Sequence, residues 1–165
     1  MKKLLLLPLM LLSLISCNDD EAMVSGPNQT VVGFPVTAES NVYTAFFSTE
    51  LATSTLKVPL NLIAYNNEIY PGDVVVSYSI TAASTATDGV EYDAPSSLVG
   101  VVETGNSSDY IEIQVYPNTF DPVTPKEIVL EIASVNSANA TISENHKKIV
   151  VVLQGVCPSA LQGGY

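Results

Sequence analysis

The chain has no tryptophan and no arginine, a single histidine (His146) and only two cysteines (Cys17 and Cys157) in 165 residues. Each shortage removes a class of function. Six basic residues, all lysine, stand against 17 acidic ones for a net charge of −11. Such a surface lacks the clustered cations that phosphate binding needs, which makes nucleic acid a poor partner. One histidine and no His/Cys set at metal spacing leave no nitrogen or sulfur metal centre to assemble. There is no Gly-x-Ser-x-Gly and no glycine-rich phosphate loop, and nothing selects two of the 17 acids as a glycosidase pair. The chain is therefore read as non-enzymatic. Without tryptophan, any sugar-stacking surface would have to come from tyrosine. After the N-terminal segment no apolar run is long enough to cross a bilayer.

What the chain does have begins at its first residues. Lys2 and Lys3 precede an apolar run over residues 4–14, and Leu14-Ile15-Ser16-Cys17 closes it. This looks like a bacterial lipoprotein signal peptide: a positive n-region, an h-region too short to span a bilayer, and a small residue beside the cut. The resemblance implies that residues 1–17 act as a leader and that Cys17 carries a diacylglyceryl group at the mature N-terminus. Two or three fatty chains, at about 0.8 kcal/mol per buried CH₂, hold a protein at a membrane durably. Losing Lys2 and Lys3 would take the net charge from −11 to −13. Asn18, Asp19, Asp20 and Glu21 then form an acidic run. It resembles the signal that sends lipoproteins of the Bacteroidota type to the outer face of the outer membrane, though a solvated tether has the same composition. The expected organisation is leader 1–17, acidic tether 18–28, one β-domain over 29–154 and a tail over 155–165.

From residue 29 onward the pattern is one of short strands and turns. Residues 55–63 alternate, with Leu56, Val58, Leu60 and Leu62 on one face and Lys57, Pro59 and Asn61 on the other. Pro59 cannot donate to a ladder, which predicts an edge or a bulge there. Residues 109–116 place Ile111, Ile113 and Val115 opposite Tyr110, Glu112, Gln114 and Tyr116, and residues 126–133 repeat the pattern with Ile128, Leu130 and Ile132. Further strands are expected over 31–37, 42–48, 74–82, 98–104 and 148–154, the last apolar on both faces and so central. No stretch beyond the leader spaces apolar residues by three and four over several turns, and Val, Thr, Ile and Ser are abundant. Seven or eight antiparallel strands of this length predict an all-β fold, a β-sandwich ahead of a closed barrel.

The order of these segments resembles the Calx-beta domain over residues 55–154. The most specific part is Thr85-Ala86-Thr87-Asp88-Gly89-Val90-Glu91-Tyr92. The resemblance implies an immunoglobulin-like sandwich, some members of which bind calcium through carboxylates in the loops at one end. Glu91 stands where the family usually has aspartate, and Asp121 lies in a loop that usually holds several acids. Here that loop has one carboxylate, with Pro122 and Pro125 in place of the rest. Calcium takes six to eight oxygen ligands. The candidate set is Glu91, Asp93, Asp88, Asp121 and Asn118, converging at one end of the sandwich. In the competing structural reading, Asp88 and Gly89 make a turn, Tyr92 packs or caps a corner, and the acids are solvated.

Four further features frame the functional expectation. His146 falls in the turn Ser143-Glu144-Asn145-His146-Lys147 and is expected to face solvent. Tyr65, Tyr70, Tyr110 and Tyr116 could present rings to a glycan, or could simply stabilise cross-strand pairs. With Cys17 acylated, Cys157 lacks a partner in its own chain; it reads as a small buried apolar residue, a bridge to another copy, or the remnant of a longer design. The ending, Cys157-Pro158-Ser159 and then Gly163-Gly164-Tyr165, resembles the opening of a further β-segment in longer lipoproteins. The expectation is a lipid-anchored protein of the outer membrane facing the cell exterior. It would act in binding or adhesion to a surface protein or glycan, with weak calcium binding as an accessory; the alternative is a glycan-binding lipoprotein of a polysaccharide-uptake system.

Overall fold

The computed structural model describes residues 30–35, 41–64, 72–136 and 140–157. Cys17, the acidic tether, Tyr65, Tyr70 and the tail beyond Cys157 lie outside these residues. The described part contains ten strands: β1 (Thr30–Gly33), β2 (Val42–Ser48), β3 (Ser54–Ala64), β4 (Val74–Ile80), β5 (Tyr92–Asp93), β6 (Val99–Val102), β7 (Ser108–Val115), β8 (Lys126–Val135), β9 (Ala140–Ile142) and β10 (Lys148–Val156). One 3₁₀ turn, Pro117–Thr119, follows β7. All eight expected strands are present, and β5 and β9 are additional.

They form two five-stranded sheets, in the orders β5-β7-β3-β1-β9 and β2-β10-β8-β4-β6. No pairing among the described residues joins one sheet to the other, so the architecture is a sandwich and not a closed barrel. The expectation of wholly antiparallel strands needs correction: β1 pairs with β9, and β2 with β10, in parallel. Alternation fixes which residues face inward, but it carries no information about strand direction.

The period-two pattern becomes the core directly. Leu56, Val58 and Leu60 of β3 and Ile111, Ile113 and Val115 of β7 meet Val74, Val76 and Tyr78 of β4, Ile128, Leu130 and Ile132 of β8, and Ile149, Val151 and Leu153 of β10. At the β6 edge the sheets approach through Gly100. A Cβ there would lie 3.1 Å from Ile111 Cγ1 and 3.3 Å from Leu60 Cδ2, so a side chain would have to push into the opposite sheet.

Pro59 is accommodated differently from the expectation. β3 is the middle strand of its sheet, and its register with β7 runs from Ser54 to Asn61 without a shift. The Leu62 amide donates to Ser107 O on the β7 side at 2.8 Å, so by alternation the Pro59 nitrogen turns toward β1. β1 has already left the sheet there, since its last pair is Gly33 with Asn61. The strand is thus a local edge at the one residue that cannot donate.

Candidate functional site

Asp88, Glu91 and Asp93 come together in the corner that leads into β5. Gly89 makes it possible: its φ is +75°, and its amide donates to Tyr92 O at 2.7 Å. Glycine adopts this conformation without the penalty of a Cβ. The Glu91 side chain turns under the corner, and the residue is only 8% exposed. Its Oε2 accepts the Thr87 amide at 2.7 Å, while the Glu91 amide donates to Thr87 O at 3.0 Å. Asp88 Oδ1 accepts the Ala94 amide at 2.7 Å, closing the loop from its other end. Asp93 Oδ2 accepts the Tyr116 hydroxyl across the β5–β7 pair. That hydrogen bond, followed by desolvation and the nearby negative charges of Asp93 and Asp88, raises the Tyr116 pKa above its ordinary value. Burial, with a smaller contribution from Asp88, does the same for Tyr92, which packs into the core as a corner residue would.

The other two candidates stand apart from this group. Asn118 is exposed on the 3₁₀ turn, where its amide donates to Leu51 O at 3.0 Å. The turn reaches the corner through the Thr119 hydroxyl, 3.3 Å from Val90 O, and through its capping residue Tyr116, whose amide donates to Glu91 O at 2.9 Å. Asp121 Oδ1 accepts the Val123 amide at 2.8 Å, the chief reason its carboxyl is held below the usual range. Its chain neighbour Pro122 faces β10, where Gln154 Nε2 donates to Pro122 O at 2.9 Å. Among the described residues no three Asp, Glu, His or Cys side chains gather in a way that could hold a metal ion.

Among the described residues the five oxygen donors are not gathered into one cluster. Calcium needs six to eight oxygens, whereas here three carboxylates already serve the corner and a fourth is tied to its own loop. The sequence pointed to a turn at Asp88 and Gly89 but not to the hydrogen-bond partners of these acids. Thr87, Ala94 and the Tyr116 hydroxyl supply the donors. The Asp88-Gly89 pair was the available signal for a self-bonded turn.

Other expected features also find their places. His146 is half-buried rather than solvent-facing. Its carbonyl accepts the Phe34 amide at 2.8 Å, and its Nδ1 is buried without a hydrogen-bond partner among the described residues. It lines a shallow cavity of about 190 Å³ with Gly33, Asn61 and Ser143. Tyr110 is exposed, with Lys57 Nζ 5.8 Å from its ring centre. Tyr116 donates its hydroxyl to Asp93. Cys157 is exposed at the end of β10, which removes the buried reading for it.

The fold is shared with solved structures. The apo-form Calx CBD1 domain matches with a TM-score of 0.50 at 14% identity, covering 78% of this chain and 98% of that one. A multidomain protein including DUF1735 from Bacteroides ovatus matches with a TM-score of 0.54 at 11% identity, covering 78% of this chain and 45% of its own. A protein of unknown function from Bacteroides ovatus matches at 0.53 and 12% identity, with coverages of 75% and 44%. The chain thus spans under half the length of these two Bacteroides proteins. At such identities the likeness establishes the fold, a Calx-beta-like β-sandwich. No protein-family model matches the chain. No curated protein matches it either.

Proposed function

We propose that the chain is a lipid-anchored, surface-displayed β-sandwich that works by binding or adhesion rather than by catalysis. The observation that carries this reading is the N-terminal sequence: Lys2 and Lys3, the apolar run 4–14, and Leu14-Ile15-Ser16-Cys17. Thioether-linked fat on Cys17 would hold the domain at the outer membrane, and the acidic run 18–21 would carry it to the exterior face. Cells fed labelled fatty acid should label the wild-type chain, and Cys17→Ser should abolish the label; label retained by the variant would refute the anchor. Protease added to intact cells should cleave the protein, and full protection would refute outward display.

Glycan capture is the second reading, supported by Tyr110 standing 55% exposed on the outer face of its sheet. A glycan array showing selective binding that Tyr110→Ala removes would promote it over adhesion. Calcium is not required by either role. Because the corner carboxylates are already engaged, millimolar calcium is expected to leave the melting temperature unchanged, and a clear rise would restore calcium binding to the account.

A further inference from the structure

The sandwich has four sheet edges, and they differ sharply. β5, β9 and β6 are short, at 2, 3 and 4 residues. Short edge strands are one of the ways proteins discourage unwanted pairing. β2 is 7 residues long, Val-Tyr-Thr-Ala-Phe-Phe-Ser, with no charge, no proline and no glycine. It borders β10 on one side, and no described strand pairs with the other.

The hydrogen bonds on the paired side show which groups are left over. Val150 donates to Asn41 O at 2.7 Å, and Thr49 donates to Val156 O at 3.1 Å. In a parallel ladder this phase turns the odd-numbered residues of β2 toward β10. Val42, Thr44 and Phe46 therefore direct their amides and carbonyls outward from the sheet edge. The side chains of the same three residues lie on the exposed outer face, Val42 at 49% and Phe46 at 68% exposure. Their odd-numbered neighbour Ala45 is buried.

We infer that β2 is a pairing edge for a second copy of this chain, the two β2 strands running antiparallel about a twofold axis through Thr44. The argument is self-complementarity. In that register Val42 faces the partner's Phe46, Thr44 faces the partner's Thr44, and Phe46 faces the partner's Val42. All three are hydrogen-bonded pairs, because these residues turn their backbone groups outward. An aromatic against a β-branched residue and threonine against threonine are the cross-strand pairs that stabilise sheets, and no like charges oppose each other. In a chain of net charge −11, seven uncharged residues at the longest edge give a local surface on which two copies can meet. Pairing joins two five-stranded sheets into one of ten. Edge pairing alone buries less than a standard interface of about 1,600 Å², so the dimer is weak and reversible. The inference stands whether or not Cys17 carries lipid.

The test uses the full chain in detergent, with Cys17 and Cys157 replaced by serine. Under mild oxidation Thr44→Cys should give a disulfide-linked dimer, since Cα atoms of a hydrogen-bonded antiparallel pair lie about 5.5 Å apart, within disulfide reach. Phe46→Cys alone should not, because its own copy lies four residues along the paired strand, roughly 13 Å away. Mixing Phe46→Cys with Val42→Cys should link the two. Sedimentation of the cysteine-free chain should show a dimer fraction that grows with concentration and with salt, as screening relieves the repulsion of two acidic bodies. Thr44→Lys, which sets like charges opposite each other, should lower that fraction at least about threefold with an unchanged circular dichroism spectrum and melting temperature. A monomer at every concentration, linkage through Phe46→Cys in place of Thr44→Cys, a dimer fraction that falls with salt, or a folded Thr44→Lys chain that dimerises as before would each overturn the proposal.

Discussion

The two sheets end in opposite ways. At β5 the chain closes its edge with side chains: Glu91, Asp88 and Asp93 take up the Thr87 and Ala94 amides and the Tyr116 hydroxyl. At β2 the edge is uncharged and its outward backbone groups meet no described strand. The acids that stand out in the sequence thus seal one end of the molecule, and the residues that stand out least, a run of seven ordinary strand formers, form the surface best suited to another chain. Charge draws attention as a binding signal, yet a buried or self-bonded carboxylate is a structural part.

The comparison can be broken first at what both edges share. Ile113 on the β7 side and Leu130 on the β8 side are buried in one core. Ile113→Ala and Leu130→Ala should each destabilise by about 2–5 kcal/mol in urea unfolding. A large loss from one and almost none from the other would mean that the two sheets do not share a core. Next, Glu91→Ala should cost about 1–3 kcal/mol by leaving the Thr87 amide without its acceptor, and Glu91→Gln should recover much of that. No loss from Glu91→Ala would free Glu91 for a ligand role.

A third measurement uses pH. The Tyr116 pKa is raised in the fold, first by its hydrogen bond to Asp93. A raised pKa means that the contribution is complete below the ordinary tyrosine value of about 10 and is lost as pH rises through the folded value. The stability gap between wild type and Tyr116→Phe should therefore narrow in alkali, and a gap that widens there would contradict the assignment. The smallest effect is expected at the other edge. Phe46→Ser should change the unfolding free energy by no more than about 0.5 kcal/mol, because the ring is exposed in the single chain. A larger loss would show that β2 is already covered.

Much of this architecture was legible in the residues. The strand Val42–Ser48 has the bounds that its pattern implies, and the inward sets of β3 and β7 alternate as read, while in β8 Val129, read as outward, is buried along with Ile128, Leu130 and Ile132. β5 and β9, at 2 and 3 residues, are too short to show any period. The parallel pairing of β2 with β10 was hidden because period two is the same in either direction. Pro59 signalled an edge, and the structure made one locally by ending β1 at Gly33. Among the candidate ligands, Asp88, Glu91 and Asp93 were close in sequence and stayed close in space, while the place of Asp121 depended on where its loop met β10. The hydrogen bonds that occupy these carboxylates come from backbone amides and a cross-strand hydroxyl, which no spacing rule records.

Amide hydrogen exchange along β2, read residue by residue by NMR across a dilution series, tests the contrast between the two edges most directly. The account predicts slow exchange at Tyr43, Ala45 and Phe47 at every concentration, and fast exchange at Val42, Thr44 and Phe46 that slows as the protein is concentrated. Equal protection of all six amides in dilute solution, or protection of the even-numbered set alone, would contradict it.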